Sequence, residues 1–144
     1  MAELNLKIIT PSKTVYSGEV RSITVPGTDG SFQVLKNHAP IISTLEIGLV
    51  KIELLDGSTE FYSTGGGTVE VLNNKITVLA DSIEKSDEID SDRARAALNR
   101  AKERLAERGV DKTLDVARAQ AAAARAQNRL NIYEKYLRGT EVRH

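Results

Sequence analysis

Three observations predict an α+β chain, with an N-terminal β-sandwich over residues 1–85 and a C-terminal antiparallel two-helix hairpin over residues 86–144. The first is a break in composition. Residues 1–86 hold 17 of the 22 Ile and Val residues, 8 of the 10 Gly and all three Pro, whereas residues 87–144 hold 12 of the 15 Ala and 10 of the 11 Arg. β-Branched residues with turn formers suit strands, and Ala and Arg suit helices. The second is periodicity, which changes from alternation to three- and four-residue spacing across the same break. The third is charge: a formal zero, from 20 basic and 20 acidic residues, divides into 7 against 10 before the break and 13 against 10 after it.

The strands follow in order. Leu4, Leu6 and Ile8 alternate with Asn5 and Lys7 until Pro11-Ser12, and Ile23 and Val25 alternate ahead of the turn cluster Pro26-Gly27-Thr28-Asp29-Gly30. Val50, Ile52 and Leu54 lead into Asp56-Gly57, a hairpin turn toward Ser58–Thr64. Val69 and Val71 precede Asn73-Asn74, and Ile76, Val78 and Ala80 follow. Short strands at this spacing imply a sandwich or barrel closed over one core.

The helices come next. Ala94, Leu98, Ala101 and Leu105 repeat on one face after Asp90-Ser91, with Arg108 and Gly109 at the expected end. A second helix is expected from near Thr113 to Gly139, with the seam Val116, Ala119, Ala123, Ala126, Leu130, Tyr133 and Leu137. A short connection makes the two antiparallel neighbours. An alanine seam allows close approach but buries little area, so the hairpin is expected to rest on the sandwich, on a partner, or to move between them.

Several functions are excluded or demoted. Zero net charge argues against nucleic acid, no apolar run approaches the roughly 20 residues of a membrane span, and the absence of Cys removes thiol and Cys-ligated metal chemistry. The N-terminal MAELNLKII lacks the pattern of a signal peptide, which points to a cytoplasmic chain. Gly65-Gly66-Gly67 lacks the Gly-Lys-Ser/Thr ending of a phosphate loop and reads as a tight bend or close strand contact. Asp87, Asp90 and Asp92 fail the calcium-loop pattern and read as helix caps. His38, in Lys36-Asn37-His38-Ala39-Pro40, has no evident nucleophile to activate and reads as part of a structural or interface loop. Arg93 and Arg100 share a face of the first helix, and Arg125 and Arg129 a face of the second. If the faces meet, four guanidinium groups converge on a site for polyphosphate; spacing alone favours solvated arginines paired with acids.

These residues together resemble the epsilon subunit of the F-type ATP synthase, over essentially the whole chain. The resemblance is carried by Val25-Pro26-Gly27, Gly30, His38-Ala39-Pro40 followed by Ile41 and Ile42, Gly65-Gly66, Val69-Glu70-Val71 and Thr77-Val78-Leu79-Ala80-Asp81. Ile89-Asp90-Ser91-Asp92-Arg93-Ala94 and Arg125-Ala126-Gln127-Asn128-Arg129-Leu130 continue it. It implies a non-catalytic rotor component of a proton-translocating enzyme, peripheral to the cytoplasmic face of the bacterial plasma membrane. The sandwich would bind the gamma subunit and the c-ring, touching the membrane only through them. The hairpin would fold beside the sandwich or extend toward the alpha/beta catalytic head and restrain ATP hydrolysis. Gly30, Ser31, Lys36, Asn37, His38, Ala39 and Pro40 match the ring- and gamma-facing surface. Ser31 stands where some members carry an acid, which leaves Lys36 as the candidate for a different charge contact.

Some members bind ATP in the folded hairpin through an Ile/Leu-Asp-x-x-Arg-Ala motif. It is complete here as Ile89, Asp90, Arg93 and Ala94, with Arg100, Arg125 and Arg129 at the further arginine positions and Glu84 at an adenine-side position. The resemblance puts Glu84, Ile89 and Asp90 near base and ribose and the arginines on the phosphates. ATP is then a regulatory ligand, and no cofactor is required. The alternative is a free-standing ATP-sensing module using the same arginines.

Overall fold

Strand β1 (Leu4–Ile9) opens the chain with the alternation its sequence requires: Leu4, Leu6 and Ile8 are buried while Asn5 and Lys7 are exposed. The computed structural model describes residues 3–107 and 115–137. It divides the chain into two units, Met1–Lys85 and Ser86–His144.

The first unit is a sheet of eight strands among the described residues. After β1 come β2 (Thr14–Val20), β3 (Ser22–Gly27), β4 (Gly30–Val34), β5 (Ile41–Glu53), β6 (Thr59–Leu72), β7 (Lys75–Ala80) and β8 (Ile83–Lys85). The order is β2-β1-β7-β6-β5-β3-β4, with β8 also on β6. β1 runs antiparallel to β2 and parallel to β7, from Asn5↔Lys75 to Ile9↔Leu79.

The sandwich closes because β5 and β6, at 13 and 14 residues, are long enough to serve both layers. Residues Gly67–Leu72 of β6 pair with β7, whereas Tyr62–Thr64 pair with β8. Ser58–Thr64 and Val69–Val71, expected as separate strands, therefore form one strand that changes partner at the glycine triplet. Gly66 and Gly67 have φ of 110° and 144°, and a Cβ on Gly67 would collide with the Leu79 carbonyl oxygen. Gly65-Gly66-Gly67 is thus the expected close strand contact.

The turns follow their chemistry. Thr28-Asp29 joins the Gly27↔Gly30 pair, and Asn73-Asn74 joins Leu72↔Lys75 with φ of 51° and 62°. At Asp56-Gly57 the Ser58 backbone N–H and hydroxyl donate to Asp56 Oδ1 at 2.8 and 2.6 Å, which holds that carboxyl below the usual carboxylate range. One cluster including Leu6, Ile23, Val50, Ile52, Val69 and Val78 fills the interior.

In the second unit a 3₁₀ turn (Ser86–Glu88) leads to α1 (Ser91–Ala106), then α2 (Val116–Ile132) and a π-turn (Tyr133–Leu137). Asp90 Oδ1 accepts the Arg93 N–H at 3.1 Å and Asp115 Oδ1 the Arg118 N–H at 3.0 Å, an N-cap at each helix. The second helix is described from Val116, with Asp115 as its cap. Arg108, Gly109, Thr113 and Gly139 lie outside the described residues. Ala94, Leu98, Ala126 and Leu130 form the seam, with Ala97 and Ala123 packed against it. The start of α1 therefore meets the end of α2, and the hairpin is antiparallel. Ile132 is also buried although it stands outside the expected seam, and Leu105 and Tyr133 are only half-buried.

Candidate functional site

Two sets of residues are expected from the sequence to carry function, and they fall on different units. The hairpin set begins at Ile89, which is buried, and Asp90, whose carboxylate is the α1 cap. Ala94 is fully buried in the seam. Arg93, Arg100, Arg125 and Arg129 each stand one position before a buried seam residue: Ala94, Ala101, Ala126 and Leu130.

That offset decides where they point. Each residue turns an α-helix by about 100°, so a residue just before a seam position lies to one side of the seam. Reversing the direction of the second helix brings its preceding positions to that same side. All four arginine positions therefore lie on one side of the antiparallel pair, with Arg93 and Arg100 exposed and Arg125 and Arg129 half-buried. Arg93 and Arg129 lie near one end, Arg100 and Arg125 nearer the middle, an arrangement suited to several negative charges in a row. Because Asp90 already caps α1, an anion here would be held by side chains and not by the helix terminus. Arg95, on the opposite side, lies 3.7 Å from Asp92. Glu84 is not on the hairpin: it is half-buried in β8, paired with Ser63 of β6.

The sandwich set surrounds β4. Gly30 (φ 118°) and Ser31 form its exposed start, and Lys36–Pro40 follow its end. β4, which spans roughly 13 Å by its four residue steps, separates these two groups at its opposite ends. The second group is well tied. Lys36 Nζ lies 3.7 Å from Glu3 Oε2, the Asn37 N–H donates to Asn74 Oδ1 at 2.6 Å, and the His38 N–H donates to the Leu35 carbonyl at 3.2 Å. His38 Nδ1 lies 2.7 Å from the Ala39 carbonyl oxygen, so it carries the proton and donates. Ala39 and Pro40 are exposed ahead of β5. The tie to Asn74 was not legible in advance. An Asn-Asn doublet in a two-residue turn was the available signal, because Asn is favoured at positive φ.

The glycine triplet borders an open groove of about 490 Å³ lined by Thr44, Glu46, Ile47, Thr68, Leu79 and Asp81 among others. Its ionisable lining is acidic, the wrong sign for phosphate. Among the described residues no three His, Asp or Glu side chains converge to hold a metal, and no helix is long and apolar enough to cross a membrane.

Two family models match consecutively. Residues 3–86 match the β-sandwich domain of the ATP synthase delta/epsilon chain, and residues 87–134 match its long α-helix domain. The chain belongs to the ATP synthase delta/epsilon family. A delta/epsilon chain is a non-catalytic subunit of the synthase, and the sandwich-plus-hairpin architecture expected from the sequence is the one this family carries.

Similar relatives are epsilon chains of ATP synthase. That of Nitratidesulfovibrio vulgaris is 44% identical over 129 residues, covering 90% of this chain and 94% of its own. The epsilon chain of Moorella thermoacetica is 44% identical over 130 residues, 90% and 96% of the two chains. Among solved structures, a chain of the Euglena gracilis mitochondrial ATP synthase shares the fold with a TM-score of 0.75 at 19% identity, covering 89% of this chain and 79% of its own. A chain from the central stalk and c-ring of the Tetrahymena thermophila enzyme does so at 0.57 and 18%, covering 93% and 96%.

Proposed function

We propose that this delta/epsilon chain is a central-stalk component of a proton-translocating ATP synthase, coupling c-ring rotation to the catalytic head and restraining ATP hydrolysis through its hairpin. The observation that carries the reading is the junction of a well-filled sandwich with a hairpin whose seam is largely alanine. The sandwich supplies a rigid body for docking on the gamma subunit and the ring. The alanine seam stores little packing energy, so two hairpin arrangements within a few kcal/mol of each other can be exchanged by modest differences in contact with the alpha/beta head. The 13 basic and 10 acidic residues of 87–144 suit an acidic surface there. The likeness to chains solved with a c-ring and a central stalk supports this placement, and the bacterial relatives support the cytoplasmic face of the plasma membrane, with membrane contact only through partner subunits. Deleting residues 88–144 should leave the chain co-purifying with gamma and the ring while hydrolysis by the complex rises. Unchanged hydrolysis would sink the regulatory part.

The four arginines on one side of the hairpin favour a second reading of the same unit, as a site for ATP. Arg93, Arg100, Arg125 and Arg129 would take the phosphates, with Ile89 and Asp90 near the base and ribose. Calorimetry of the full chain with ATP should give binding that Arg93→Ala and Arg125→Ala each weaken at least about tenfold, the order of one lost charge-assisted contact. An absence of heat at millimolar ATP removes the site. A free-standing sensor, unlike a rotor subunit, would not come down with gamma and the ring.

A further inference from the structure

Asn74 occupies the second position of the β6–β7 turn, yet three of its groups reach outside that turn. Its carbonyl accepts the Asn5 N–H of β1 at 2.8 Å. Its Oδ1 accepts the Asn37 N–H at 2.6 Å, and its Nδ2 donates to Asn37 Oδ1 at 3.3 Å. A backbone N–H only donates, so the first of these two bonds sets the orientation of the Asn74 amide and turns its NH₂ toward Asn37. Both residues sit in the left-handed region, with φ of 67° and 62°. Asn tolerates that region better than other non-glycine residues, and here it also offers a side chain at each end of the bridge.

The bridge lies between Lys36 and His38. On one side Glu3 holds Lys36, and the Asn5 amide donates to the Glu3 carbonyl at 3.2 Å, returning the contact to β1. On the other, His38 closes a turn onto Leu35. An exposed connection such as Leu35–Pro40 would otherwise lose much conformational entropy on docking, and a connection already ordered loses less.

We propose that Asn74 is a positioning residue, holding Lys36 and His38 in the arrangement that the partner subunits of the synthase recognise without touching those partners itself. This rests on the reading of Lys36–Pro40 as partner-facing. The β6–β7 turn thereby becomes part of the recognition apparatus, although it is remote in sequence from the loop it orders.

The test separates the side chain from its backbone. Asn74→Gly deletes the amide and keeps the left-handed φ, whereas Asn74→Asp keeps an acceptor for the Asn37 N–H. In the full chain, Asn74→Gly should speed hydrogen exchange of the Asn37 amide about fivefold, the order of one neutral hydrogen bond. It should speed dissociation from a purified gamma–c-ring complex by a similar factor, and Asn74→Asp should restore both. If Asn74→Gly unfolds the chain, Asn74→Ala, which likewise lacks the acceptor for the Asn37 N–H, carries the same test. Unchanged exchange of the Asn37 amide in Asn74→Gly overturns the bridge. Faster exchange with unchanged dissociation overturns the positioning role. Lys36→Ala and His38→Ala then show which idea failed. If either weakens association, the loop is partner-facing and only the role of Asn74 falls; if neither does, the reading of the loop falls with it.

Discussion

Gly67 shows how much a single residue decides in this sandwich. With φ of 144°, a Cβ there would overlap the Leu79 carbonyl oxygen and lie 2.9 Å from the Ala80 Cα, both backbone atoms of β7 that cannot swing away. Gly67→Ala is therefore expected to destabilise the first unit by about 3 kcal/mol, combining strain with forced separation of β6 and β7. Gly18→Ala is the control, because its methyl would meet the Tyr16 ring at an ordinary 3.7 Å; urea unfolding should place it within about 1 kcal/mol of the parent. The sequence reads the Gly65-Gly66-Gly67 run as a tight bend or close strand contact and not a phosphate loop, because the residues that would complete such a loop are missing. Which glycine is indispensable depends on the strand lying across from it.

The hairpin poses the complementary question of how small an element's seam can be. Ala94, Leu98, Ala126 and Leu130 bring the two helices together, and the Asp90 and Asp115 caps contribute about 1 kcal/mol each by satisfying first-turn donors. Because Ala126 is only 2% exposed, Ala126→Leu should push the helices apart and cost about 1–3 kcal/mol, read by amide exchange along α1 and α2. Ala124→Leu, at an exposed position of the same helix, should change exchange little. Most of this element was legible, because a three-to-four spacing identifies the inward face of a helix whatever it packs on. Ile132 was not: it lies about 200° round the helix from Leu130, so its burial depends on contacts that spacing along α2 does not encode.

At the scale of the molecule, the division into Met1–Lys85 and Ser86–His144 makes the deletion at residue 88 informative. The first unit keeps its own core, so a chain ending at residue 87 should unfold in one cooperative transition and still bind its partners. Any rise in hydrolysis is then attributable to the missing hairpin and not to a collapsed sandwich. Circular dichroism melting of the shortened chain checks that premise before hydrolysis is measured.

Much of this was determined by the sequence alone: the break near residue 86, the alternating strands, most of the helix seam and the cap of the first helix, and the residues that carry the family resemblance. All of these are local. Alternation and helical spacing record which face of an element leaves water, and a cap or a turn is chemistry between near neighbours. Tertiary structure alone decided that β1 pairs in parallel with β7, that β6 runs unbroken through its glycines, and that Asn74 reaches Asn37. Those facts join residues far apart in the chain. The pattern of burial within each element is compatible with many such pairings, and closure of a shared core selects among them.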